Sequence, residues 1–152
     1  MLGFALFKTI VNYAPLISID LIVYNSKSEV LLGKRINPPA KNYYFVPGGR
    51  VFKNEKIADA FDRICQSELG CKIEFSSVIP CGVFEHFYSD AFVGADISTH
   101  YIVLAYEIHM DSELQKLPQH SMQNIPICQL NVLEKILTFI IIPSNTLARR
   151  LK

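Results

Sequence analysis

A single domain mixing helix and strand is what this sequence predicts, and four stretches carry that prediction. Leu16 to Tyr24, LISIDLIVY, is a β-branched apolar run of strand type. From Lys56 the apolar residues Ile57, Phe61, Ile64 and Cys65 fall at i, i+4, i+7 and i+8, one face of an α-helix that ends at Gly70. Cys81 to Tyr88 and Thr99 to Ile108 then return to strand character. At 152 residues the chain is one domain by size, large enough to bury a core without disulfides.

In chain order, Leu2 to Tyr13 reads as a short helix or an arm, in which Phe7 is either a core residue or a ring exposed for stacking. Asp20 interrupts the strand that follows, and an acid in such a run needs a partner. Asn25 to Ser28 is a turn, and Glu29 to Arg35 is the return strand of a hairpin. Lys34 and Arg35 therefore sit at a strand end, either solvated or reaching an anion. Pro38-Pro39 marks a loop before the short aromatic strand Tyr43 to Val46. Gly48 and Gly49 then let the backbone turn where a Cβ would clash, leaving main-chain groups open to a ligand. Asn54 is the expected N-cap of the helix.

Glu68 continues the apolar stripe of that helix. A carboxylate there is costly unless it is paired or holds a metal. Beyond the helix, Lys72 to Ile79 is a connection, and His86 in the next strand is either a satisfied structural residue or a functional one. Ser89 to Asp96 has the small, polar composition of a movable flap. Met110 to Gln119 is a polar loop ending in LPQH.

Composition excludes several classes of function. A formal charge of +1 with 19% charged residues gives no argument for a nucleic-acid surface or an acidic tail, and no nucleic-acid partner is expected. Cys65, Cys71, Cys81 and Cys128 form no C-x-x-C pair and no zinc spacing with the four histidines, and read as reduced cytoplasmic thiols. No signal peptide is apparent, and ILTFIII near the C-terminus is far short of the roughly 20 residues that span a bilayer. The expectation is a cytoplasmic protein with no membrane partner.

The segment GGRVFKNEKIADAFDRICQSELG resembles the Nudix box, G-x5-E-x7-R-E-U-x-E-E-x-G-U with U aliphatic: Gly49, Glu55, Arg63, Glu68 and Gly70 match in register. Ile64 and Ser67 occupy two of its acidic positions, which depletes the magnesium-binding glutamates of the helix to one. That loss, together with the flanking LLGKRINPPAKNYYFVPGGRV and HFYSDAFVGADISTHYIVL, is similar to the GDP-mannose mannosyl hydrolase branch of the family. The resemblance runs from about Phe7 to His120.

The resemblance implies a Nudix-type α/β/α sandwich with a mixed sheet, whose core would include Ile17, Ile19, Leu21, Val30, Leu32, Val103 and Leu104, with Ile57 and Phe61 from the helix. It implies Mg2+ held by the Gly48 carbonyl, Glu68 and Gln119. It also implies water attack at the anomeric carbon of a GDP-sugar, with inversion, releasing GDP. His120 would take the water proton, and Arg35, Arg50 and Arg63 would stabilise the departing charge. Asp20, His86 and Tyr101 would hold sugar and diphosphate, while Phe7 would stack on guanine across a homodimer. Two other functions stay open: a pyrophosphatase releasing GMP and sugar 1-phosphate, and a nucleotide-binding module without turnover.

Past His120 the similarity stops, and residues 121–152 form a divergent tail. Joining the last base of each codon from Asn124 onward to the first two of the next permits YTYMSIECIREDPNVHYYTIKYFSEEIE. That spelling restores the aromatic strand, Asn-Val-His segment and amphipathic ending the resemblance implies; codon degeneracy leaves coincidence as the alternative. The expectation is an insertion or deletion just after His120, which would expose apolar surface around Ile136 to Ile142.

Overall fold

The computed structural model describes residues 3–34, 44–94, 96–110 and 127–128. Arg35, Gln119 and His120 lie outside the described residues, as does the tail apart from 127–128. The first element is the helix α1, Phe4–Tyr13, followed by strand β1, Leu16–Tyr24, with the bounds the sequence suggested. The expected turn closes on Asn25, whose Oδ1 accepts from the Lys27 and Glu29 N–H groups at 2.9 Å each. The return strand is broken into β2, Val30–Leu31, and β3, Gly33–Lys34. Strands β4, Tyr44–Phe45, and β5, Gly48–Arg50, precede helix α2, Ile57–Leu69. A 3-10 turn at Phe75–Ser77 leads to β6, Ile79–Tyr88, and β7, Thr99–His109, with β8 at Ile127–Cys128.

Among the described residues the main sheet runs β6-β7-β1-β2-β8, with β5 also paired to β1, while β3 and β4 pair separately. The sheet is mixed: β1 lies parallel to β7 and antiparallel to β2 and β5. Because successive side chains alternate between faces, β1 builds two different surfaces. Ile19, Leu21 and Val23 are fully buried with Phe61, Ile64 and Cys65 of α2. From the opposite face, Leu16 packs with Val11 of α1 and with Ala91, Val93 and Ile97. One helix therefore lies on each side of the sheet, an α/β/α sandwich.

Three expectations need correction. Asn54 does not cap α2: it adopts φ 65 in the preceding loop, and the extended Lys56 is the N-cap without a side-chain bond. Asparagine tolerates that left-handed conformation better than most residues. The helix does end at Gly70, whose φ of 69 makes it the left-handed cap. Ile17 and Ile57 were expected in the core but are 50% and 43% exposed. Each has the right parity or phase, yet α2 covers the middle of the sheet and leaves its first turn and the start of β1 open. The 89–96 segment is less free than a flap: Ala91 and Val93 are buried, and Asp90 O accepts from Thr99 Oγ1 at 2.8 Å.

Candidate active site

The glycine turn is placed by β1. Gly48 pairs with Asp20, Gly49 with Ile19, and Arg50 with Ser18, and Pro47 O accepts from the Leu21 N–H at 2.8 Å. Glycine is required at 48, where a Cβ would lie 2.5 Å from Ile19 O and 2.9 Å from Asp20 Oδ1. A Cβ at Gly49 would lie 3.1 Å from Cγ1 of Ile64, so that buried side chain packs directly beneath the turn.

Above this turn is a cleft lined by Ser18, Asp20, Gly48, Arg50, His86 and Tyr101, with Tyr88 and the aromatic strand β4 completing its wall. The β6–β7 pairing sets His86 directly opposite Tyr101, hence both on one face. Tyr88 extends that aromatic wall: its hydroxyl lies 3.3 Å from His86 Nδ1, and its ring meets Tyr101 edge-on at 6.3 Å. Phe7 of α1 is half-buried, and the Arg50 guanidinium carbon lies 4.3 Å from its ring centroid. The structure thus brings together Asp20, Gly48, Arg50, His86 and Tyr101, with Phe7 behind Arg50.

Arg63 is placed differently from the leaving-group role expected of it. Its Nε donates to Glu55 Oε1 at 2.7 Å, and Nη2 donates to Glu55 Oε2 at 2.9 Å and to Arg50 O at 2.8 Å. It also stacks over Phe52 at 4.0 Å. Glu55 in turn accepts from the Phe52 N–H at 2.8 Å. The hydrogen bond from Arg63 holds the Glu55 carboxyl below its ordinary range, against a smaller opposing effect of burial. These contacts make a clamp that closes the loop between β5 and α2 and ties it to the main chain of Arg50. Arg63 does not line the cleft.

Glu68 is half-buried on α2, one turn beyond Ile64 on the same side of the helix. Among the described residues no three histidine, cysteine or acidic side chains gather to hold a metal alone. The oxygen donors at the turn are the main chain of Gly48 and the side chain of Asp20, residues that line the cleft, whereas Glu68 is not among its lining residues. That set fits a hard cation completing its shell with water and phosphate oxygens, and does not fit a closed nitrogen and sulfur site.

Comparison with known proteins bears on the family and the fold. The NUDIX domain model matches residues 14–139. The chain belongs to the Nudix family. Its class is accordingly that of a Nudix hydrolase, and the match extends past His120. The low-salt glycan biosynthesis protein Agl8 of Haloferax volcanii is 43% identical over 115 residues, 75% of this chain and 72% of that protein. Among solved structures, the MutT NUDIX hydrolase of Burkholderia pseudomallei has a TM-score of 0.59 at 21% identity, over 74% of this chain and 81% of that one. The NUDIX domain of Shewanella oneidensis NrtR, solved with ADP ribose, gives 0.57 at 16% identity, over 91% and 90%.

Within this Nudix fold, among the cleft residues that escaped the sequence reading, Ser18 and Tyr88 carried a signal. Ser18 lies two positions before Asp20, and Tyr88 two after His86, so period-2 alternation alone puts each on the same face as its neighbour. Glu55 was matched to the box, but its pairing with Arg63 had no local signal, because a loop residue meets a helix residue eight positions away.

Proposed function

We propose that this chain hydrolyses GDP-mannose or a related GDP-hexose to GDP and free sugar, by water attack at the anomeric carbon with inversion. The observation that carries the proposal is the packing of Ile64 beneath Gly49. The helix position that is glutamate in the ordinary Nudix box is here filled by a buried aliphatic side chain in contact with the turn. Ser67, at another acidic position of the box, is exposed. Attack at phosphorus, which the extra glutamates ordinarily support, loses that support, while the positive charge that a bound metal would supply would still make GDP a good leaving group. The kinship with a glycan biosynthesis protein supports a nucleotide-sugar substrate.

In this reading the Gly48 carbonyl, Glu68 and Gln119 would hold magnesium, which would supply positive charge to the diphosphate. Arg35 and Arg50 donate to the diphosphate oxygens. His120 accepts the proton of the attacking water as the new carbon–oxygen bond forms and the bond to GDP breaks. Asp20, His86 and Tyr101 hold the sugar and diphosphate, and Arg63 keeps the main chain of Arg50 in place. The site is proposed to work in a homodimer.

The test is GDP-mannose hydrolysis with added magnesium, followed by phosphorus and proton NMR. GDP and mannose released as the inverted anomer are expected. GMP with mannose 1-phosphate would establish the pyrophosphatase instead, and nucleotide binding without turnover would leave a binding module.

A further inference from the structure

We propose that Phe7 is a positioning residue that acts through Arg50 of its own chain, holding the guanidinium ready for a diphosphate. The inference rests on the reading of Arg50 as a diphosphate ligand, and goes beyond the base-stacking role implied for this ring.

Three observations carry it. The Arg50 guanidinium carbon lies 4.3 Å from the centre of the Phe7 ring, within the range of a cation–π contact. The ring itself is held: Phe7, Ile10 and Val11, at i, i+3 and i+4 on α1, pack together against Leu16, Ala91, Val93 and Ile97. The main chain of Arg50 is fixed independently, through its pairing with Ser18 and the hydrogen bond from Arg63 Nη2 to its carbonyl. The arginine is thus anchored at its root by the strand and the clamp, and near its tip by the ring. Arg50 is also one of the residues that line the cleft.

The physical consequence is preorganisation. An unsupported arginine on a cleft wall samples many rotamers, and fixing one of them opposes binding. A guanidinium over an aromatic face keeps the N–H donors in its plane free for two phosphate oxygens. The ring therefore removes a cost of ordering Arg50 without competing for its donors.

Binding of inorganic pyrophosphate with magnesium, measured by calorimetry, isolates this effect because the ligand has no base to stack. Phe7→Leu is expected to weaken pyrophosphate binding roughly 3- to 10-fold, as loss of a cation–π contact predicts. Phe7→Tyr should restore it, and Phe7→Leu should add nothing in an Arg50→Ala background. The Arg50 Nε–H resonance should be shifted upfield by the ring in the wild type and in Phe7→Tyr, and should lose that shift in Phe7→Leu. Loss of GDP binding with unchanged pyrophosphate binding would overturn the inference in favour of base stacking. An equal loss in the Arg50→Ala background would reduce Phe7 to a packing residue. A wild-type protein that binds no pyrophosphate, yet shows the resonance shift, would instead overturn the diphosphate reading of the cleft.

Discussion

The two faces of β1 belong to one strand and have opposite characters. On the α2 side Ile19, Leu21 and Val23 are completely buried in an apolar layer. On the other side Ser18 and Asp20 stand among aromatic rings and an arginine, at the positions paired with Arg50 and Gly48. The difference lies in what covers each face. A whole helix stripe dries the first, whereas the second opens on the cleft, with the glycine turn of β5 paired alongside in the sheet. A change on the dry face should therefore be read mainly in stability, and a change around the turn mainly in turnover.

The largest effect is expected from Phe61→Ala. Phe61 is fully buried, packed edge-on to Tyr106 at 5.6 Å and tilted against Phe75 at 5.2 Å. Its removal should cost about 3–5 kcal/mol, measured by denaturant unfolding. A loss under 1 kcal/mol would mean the layer collapses readily around the gap.

Next comes Glu68→Gln, the corresponding change at the site. Neutralising the helix carboxylate proposed to hold magnesium should lower turnover on the order of 100-fold or more, the size typical for loss of preorganised charge. Thermal stability should barely move, since Glu68 is only half-buried. Wild-type turnover in this variant would remove Glu68 from the metal site.

The clamp lies between these extremes. Glu55→Gln should cost roughly 1 kcal/mol at neutral pH, a modest value because the Arg63 side chain is 38% exposed and screened by water. The pH dependence has a definite sign. The folded carboxyl titrates below the ordinary 4.5, so its contribution is present above that pH and is lost as pH falls through the lower folded value. Wild-type and variant stabilities should converge in acid. A difference that stays constant with pH would mean the variant disturbs packing and not charge.

These contrasts also mark what the sequence could and could not disclose. Strand β1 and the end of α2 were legible because their causes are local: an apolar β-branched run, and a glycine free to take φ 69. The parallel pairing of β1 with β7 was not, since alternation identifies the faces of a strand but not its neighbours. The cleft was partly legible through the glycine turn and the polar break at Asp20. The clamp was not, because Arg63 meets Glu55 through a loop whose course no periodicity encodes. Asn54 shows the same limit: its type suits a cap and a left-handed turn alike, and the neighbouring Glu55 contact decides for the turn.

The smallest effect gives the sharpest test of the comparison. Ile17 and Ile19 share a parity on β1, and both point to the α2 side. Ile19 is fully buried there, while Ile17 remains 50% exposed because the helix does not extend over the strand's beginning. Sequence periodicity treats the two as equivalent; the covering layer does not. Ile19→Ser removes a filled apolar volume and buries a hydroxyl, so it should cost several kcal/mol. Ile17→Ser gives up only part of its apolar contact and leaves the hydroxyl within reach of water, so its cost should stay within about 0.5 kcal/mol. Parallel chemical unfolding of the two variants measures the difference directly. A large loss at Ile17 would mean that another part of the protein, or a second copy of it, covers this end of the sheet in solution, and the open end of that face would then be an interface.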